Sequence, residues 1–337
     1  MLALAAALLF GVSTLLLQRA GTGVGPWITA ALLYAGAAAA GFAVRSPATK
    51  EARPRRAHAL RLCLMALFGA VLGPAALAWG LQLTSGTSAS LMLTFEAVFT
   101  AALASLMYGE QMSGRVIAAV ASLAAGGLCL VLDRWGAGPT QVSGLLAVTA
   151  ATLCWAIDNT LSRGLAHLDP GRVVLGKSAI GALCSMMIAA AAVQTSVSLL
   201  HGGLLVLLGA VAHGLSLHLY LLAQRDIGAA RTGSVFAAAP SVGACAAIAL
   251  GERALSVWAL TGASLMALGV YLHVTETHDH EHSHESVEHQ HAHTHGDGHH
   301  DHHHHPMPVG AHSHNHRHRP ISHAHPHAPD LHHTHSH

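Results

Sequence analysis

The run Ala121-Ser122-Leu123-Ala124-Ala125-Gly126-Gly127 returns 142 residues later as Ala263-Ser264-Leu265-Met266-Ala267-Leu268-Gly269. The same shift lays Gly109-Glu110 on Gly251-Glu252 and Gly86 on Gly228. Small apolar residues recur by chance in membrane helices, but one shift that explains three separate matches is the mark of an internal repeat.

The sequence around the repeat is written for lipid. Hydrophobic residues make up 52% of the 337-residue chain and charged residues 10%, against roughly 25% charged in a soluble domain. Eight of the 16 acids lie in the last 64 residues, so the first 273 carry eight acids and fifteen Lys/Arg, the basic ones clustered between apolar stretches. A charge at the centre of a spanning helix costs about 2.5 to 3.5 kcal/mol on insertion scales, which explains that spacing.

A crossing needs ~20 apolar residues. Cutting at the charged, Gly- and Pro-containing breaks gives ten spans, at about 2–19, 27–44, 61–81, 87–108, 115–132, 143–162, 172–193, 201–223, 231–250 and 254–273. Met1-Leu2-Ala3 has no basic region before it, so the first apolar run reads as a membrane helix and not as a signal peptide. Five spans per half turn the second copy over in the bilayer. The expected fold is an all-α membrane protein of ten transmembrane helices in two inverted five-helix repeats, residues 1–132 and 143–273, with a disordered tail over 274–337. Cys63, Cys129, Cys154, Cys184 and Cys245 each stand alone in an apolar run and read as small packing residues.

Basic residues orient the chain. With the N-terminus in the cytoplasm, inside loops hold Arg45, Lys50, Arg53, Arg55, Arg56, Arg61, Arg115, Arg163, Arg172, Arg225 and Arg231, and outside loops only Arg19, Arg134 and Arg253. Both termini are then cytoplasmic, in a cell membrane that is the inner one if the source is bacterial.

Leu106-Met107-Tyr108-Gly109-Glu110 and Ala249-Leu250-Gly251-Glu252-Arg253 end helices in the two halves. With Ala230-Arg231-Thr232, Ala239-Pro240 and Cys154-Trp155-Ala156, they give the chain its resemblance to the EamA family of the drug/metabolite transporter superfamily, over nearly all of residues 1–273. Glu96-Ala97 stands where that family commonly has Glu-Pro, and Phe10-Gly11 where Trp-Gly is common. The resemblance implies a ten-helix carrier with both termini inside and a central site near the bilayer midplane, moving small organic solutes, often outward.

Ionisable groups inside the membrane are the candidates for a transport cavity. Glu96 falls near the centre of the fourth span. Asp158 lies about four residues from the cytoplasmic end of the sixth span and Lys177 about five residues into the seventh, at similar depth given ~1.5 Å of rise per residue. Adjacent antiparallel helices would pair them, and such a pair serves stability more often than gating. His213 and His218 in the eighth span lie ~140° apart on an α-helix, a poor chelate, and a packing role is the commoner one for such histidines.

Twenty-five of the 31 histidines lie in the tail, in repeated His-x-His steps. Neutral imidazole binds Zn, Ni, Co and Cu ions, and residues two apart in an extended chain lie on one side at ~6.6 to 7 Å. The candidate ligands are His278, His280, His282, His284, His289, His291, His293, His295, His302, His303, His304, His305, His312, His314, His316 and His318, with Asp279, Glu281, Glu285, Asp297 and Asp301 adding oxygen. A composition this polar builds no core. The membrane body itself calls for no cofactor.

Three functions fit: an EamA-type exporter of a small solute whose tail binds a divalent metal, the metal being possible cargo; an ordinary metabolite or drug exporter with an accessory tail; and a membrane-anchored metal store or sensor. No nucleophile motif, phosphate loop or cofactor fingerprint supports an enzyme. The expected partners are the lipid bilayer and a small-molecule or metal-ion cargo, with no nucleic acid; a homodimer is compatible with the sequence.

Overall fold

The computed structural model describes residues 1–47, 52–108, 114–135, 139–165, 168–194, 196–227, 232, 235–250 and 256–275, and in the tail 279–283, 288–293, 312–317 and 322–326. Helix α1 spans Leu2–Ala20 and α2 Pro26–Val44, with Pro26 in the first turn, where its missing N–H is no loss. Helix α3 runs Ala59–Ala66, passes through a π-helical turn at Leu67–Leu72, and continues as Gly73–Leu81. Two pieces follow, α4 at Gly86–Met92 and α5 at Phe95–Tyr108. Then come α6 at Gly114–Trp135, α7 at Pro139–Ser162 and α8 at Pro170–Ala191. Helix α9 runs Leu199–Leu208, a π-helical turn at Gly209–Leu215 and Ser216–Ile227, and α10 (Ala239–Ala249) and α11 (Val257–Val274) complete the body.

Among the described residues six helices are long and apolar enough to cross a membrane, and shorter apolar helices cover 117–133, 239–249 and 257–272. The surface agrees with lipid. Leu4, Leu8, Val12 and Leu16 form an exposed stripe at four-residue spacing on α1, while Ser13, Thr14, Thr29, Ser88 and Thr152 are buried. Apolar outside and small polar inside is the reverse of a soluble protein, and it suits a solvent of hydrocarbon.

Two spans differ from the sequence expectation. The fourth, expected as one helix over 87–108, breaks at Leu93 and Thr94, where the Thr94 hydroxyl donates to the Leu91 carbonyl at 2.7 Å. The ninth, expected over 231–250, turns at Ala237 and Ala238 ahead of Pro240, which cannot continue a helical ladder. The two π-helical turns, beginning at Leu67 and Gly209, are again 142 residues apart.

Helix packing follows the same shift. Helix α2 packs on α8 and α6 on α11, each the other's copy, while α3 with α7 is echoed by α1 with α9, and α5 with α7 by α1 with α10. Glycine allows the α6–α11 contact to close: a Cβ on Gly126 would meet the Gly262 carbonyl oxygen at 2.8 Å, and one on Gly262 would meet that of Gly126 at 2.9 Å.

In the tail, expected to be disordered, four short segments pair antiparallel: β1 (Asp279–Ser283) with β4 (Ser322–Pro326), and β2 (Glu288–His293) with β3 (His312–Arg317). Alternating His-x-His suits an extended chain, although a two-stranded ladder alone is marginal in water.

Candidate functional site: a polar cavity between the helices

Side chains from α1, α2, α5, α7, α8 and α9 line a half-open cavity of about 50 Å³. Helix α7 supplies Trp155, Asp158 and Asn159, whose spacing puts 155 and 159 on one face. Helix α8 brings Lys177, so that the Lys177 ammonium donates to Asp158 Oδ2; the residues are 2% and 3% exposed. Asp158 Oδ1 is buried and has no hydrogen-bond partner among the described residues. Glu96, in the first turn of α5 just past the break, accepts from the Asn159 amide at 2.6 Å.

The π-helical turn in α3 lies behind the lining residues Tyr34 and Trp155. It leaves the Gly69 carbonyl to accept from both the Tyr34 hydroxyl and Trp155 Nε1, the latter at 3.1 Å. Gly69 is needed there, because a Cβ would run into the Asp158 carboxylate. The second π-helical turn carries His213, buried at 7% exposure, with its ring 5.4 Å from Tyr34, 5.8 Å from Phe10 and 6.2 Å from Trp155. Phe236 joins the cluster, 5.5 Å from Phe10 and 5.1 Å from Tyr220.

The structure therefore brings together Glu96, Asp158, Lys177 and His213. His218, on α9 with its ring outside the lining, is not brought in. The α-helical angle between the two histidines does not apply, since His213 sits in a π-helical turn. Tyr34, Asn159, Tyr220 and Phe236 were missed by reasoning from charge. Their signal was present: aromatic residues are only 4% of the chain, and five of them line one cavity.

The ends of the bundle differ. At the end where α2 stops and α8 starts, the Ser46 amide donates to Asp169 Oδ2 at 2.9 Å, the Asp169 amide to the Ala52 carbonyl at 2.9 Å, and Arg172 pairs with Asp169 at 3.3 Å. Asp169 is fully buried and also caps α8 by accepting from the Gly171 amide at 3.0 Å. At the opposite end, Gln18, Arg19, Thr22, Gln82 and Gln141 line a polar recess of about 670 Å³.

A family model described as the EamA-like transporter family matches residues 1–132 and again 142–275. The chain belongs to that family. Family membership and the apolar helices make it a multi-pass membrane protein of a small-solute transporter family, not one of enzymes. It is 27% identical over 242 residues, 68% of each chain, to a protein of Methanothermobacter thermautotrophicus (strain Delta H) described as an uncharacterized transporter. A solved crystal structure shares the fold with a TM-score of 0.55 and 22% identity, covering 80% of this chain and 94% of that one. The repeat motifs Gly109-Glu110 and Gly251-Glu252 lie outside the described residues, as do His278, His284, His295, His302, His303, His304, His305 and His318.

Proposed function

We propose that this EamA-family transporter exports a small organic solute through the central cavity by alternating access, with both termini in the cytoplasm of the cell membrane. One observation carries the reading: ionisable groups far apart in sequence, Glu96 against Asp158 and Lys177, converge in one half-open cavity within the bundle, with the Asp169 latch at one end of the bundle and a polar recess at the other. With the N-terminus inside, the latched end is cytoplasmic, so the conformation is closed inward. Buried charge in a membrane body is costly unless it is paired or faces a wet cavity, so such groups mark transport pathways.

The histidine tail binds a divalent transition metal in this reading, Zn, Ni, Co or Cu, through interchangeable imidazoles, His280, His282, His289, His291, His293, His312, His314 and His316 among them. A bare metal ion as cargo has less support. Asp158 is already engaged by Lys177, and among the described residues no three His, Cys, Asp or Glu side chains are grouped to hold a metal. Such an ion needs several ligands in place of water.

The test expresses the full chain and a chain ending at His273 in cells lacking metal exporters, and follows cell-associated Zn, Ni and Co. The expected result is metal retention by the full chain and none by the shortened one. Equal lowering of cellular metal by both forms makes the ion the cargo and overturns the organic-solute reading.

A further inference from the structure

Resting on the reading that this cavity holds the cargo, we infer that the group bound there is a small organic cation, an ammonium held by Glu96 within a cage of aromatic rings. Charge balance is the first observation. Among the described residues two carboxyl groups and one ammonium line the cavity, the ammonium being that of Lys177. That ammonium is taken by Asp158 Oδ2, which leaves Asp158 Oδ1 buried without a partner among the described residues and Glu96 with the neutral Asn159 amide. Acceptors for a positive ligand are in surplus. An anion, or the carboxylate of a zwitterion, finds no uncommitted lysine or arginine among the described lining residues.

The rings are an independent observation. Phe10 meets Trp155 edge-on at 5.6 Å, and Tyr34, Tyr220 and Phe236 close the surround. Aromatic faces attract ammonium ions through their quadrupoles, and several rings around one point are the usual receptor for alkylated ammonium groups. Neutral apolar cargo would use the rings but waste the carboxyls, since a buried unpaired acceptor opposes its binding. The cavity, about 50 Å³, has room for a small ammonium headgroup.

The full chain in lipid nanodiscs, titrated calorimetrically with ethylammonium, propionate, glycine and propan-1-ol, tests this. Ethylammonium alone is expected to bind with measurable heat. Glu96→Gln, which preserves shape, is expected to weaken it about tenfold or more, and Phe236→Leu several-fold. Equal ethylammonium affinity in wild type, Glu96→Gln and Phe236→Leu overturns the inference, as does absence of ethylammonium binding. Counterflow in vesicles separates this from the carrier reading. Flux of glycine or propionate without ethylammonium binding overturns the cation and keeps the carrier; Glu96-dependent ethylammonium binding with no flux of any probe supports the cation and overturns the carrier.

Discussion

Asp158 and Lys177 are both almost wholly withdrawn from solvent, and neither charge is tolerable in hydrocarbon without the other. Asp158→Asn or Lys177→Met alone is therefore expected to destabilise the body by about 3 to 5 kcal/mol, because the surviving charge is left buried. Joining the two changes removes both charges and is expected to recover most of that loss, read as the midpoint of thermal unfolding in nanodiscs. Equal losses that simply add in the double variant would show that the pair is not coupled. Counting depth along two helices was enough to find this pair in the sequence. The Gly69 carbonyl was not findable that way: it becomes an acceptor for Tyr34 and Trp155 at a π-helical turn, and backbone geometry of that kind has no residue signature. Asn159 was overlooked because a neutral amide beside Asp158 carries no charge to notice, though it is what holds Glu96.

Helices were readable from apolar length and break residues, and their interruptions mostly were not. Pro240 announces the turn at Ala237 and Ala238, and Pro74, lacking an N–H, follows the π-helical turn of α3 closely. Nothing comparable precedes the turn at Leu93 and Thr94, or follows the second π-helical turn, whose 142-residue relation to the first shows itself only in the backbone. Such turns concentrate at functional sites, and both of these border the cavity. Deleting Ala70 to restore an α-helical ladder should rotate Gly69 away from Trp155. The expected outcome is unchanged helical circular dichroism, altered tryptophan fluorescence and loss of counterflow; full flux would make the turn incidental. The α6–α11 contact gives a simpler expectation. Gly126→Leu forces a side chain against the Gly262 backbone, and a loss of at least 1 to 3 kcal/mol, roughly the usual cost of overpacking, is expected in the same unfolding measurement.

Across the whole molecule the two ends are tied differently: Asp169 gathers the bonds at one, while at the other Gln18 and Gln82 donate to the Leu81, Thr84 and Val24 carbonyls around an open recess. Asp169 is the centre of the tie: its carboxylate takes the Ser46 amide and Arg172 together, and its own amide reaches Ala52, so one side chain fastens the α2–α3 connection to the start of α8. Asp169→Ala removes the acceptor together with the α8 N-cap, a loss of about 0.5 to 2 kcal/mol that the long apolar helix withstands, and it should shift the population toward the conformation open at that end. A cysteine at position 46, in a chain otherwise free of cysteine, reports on this through a maleimide that does not cross membranes. Labelling from the cytoplasmic side is expected to be slow in the parent and several-fold faster with Asp169→Ala, because the amide and its neighbours are then released to water. Labelling that stays slow in both proteins would remove the gate, and labelling from the outer side alone would invert the orientation drawn from the lysine and arginine bias, placing the histidine tail outside the cell with it.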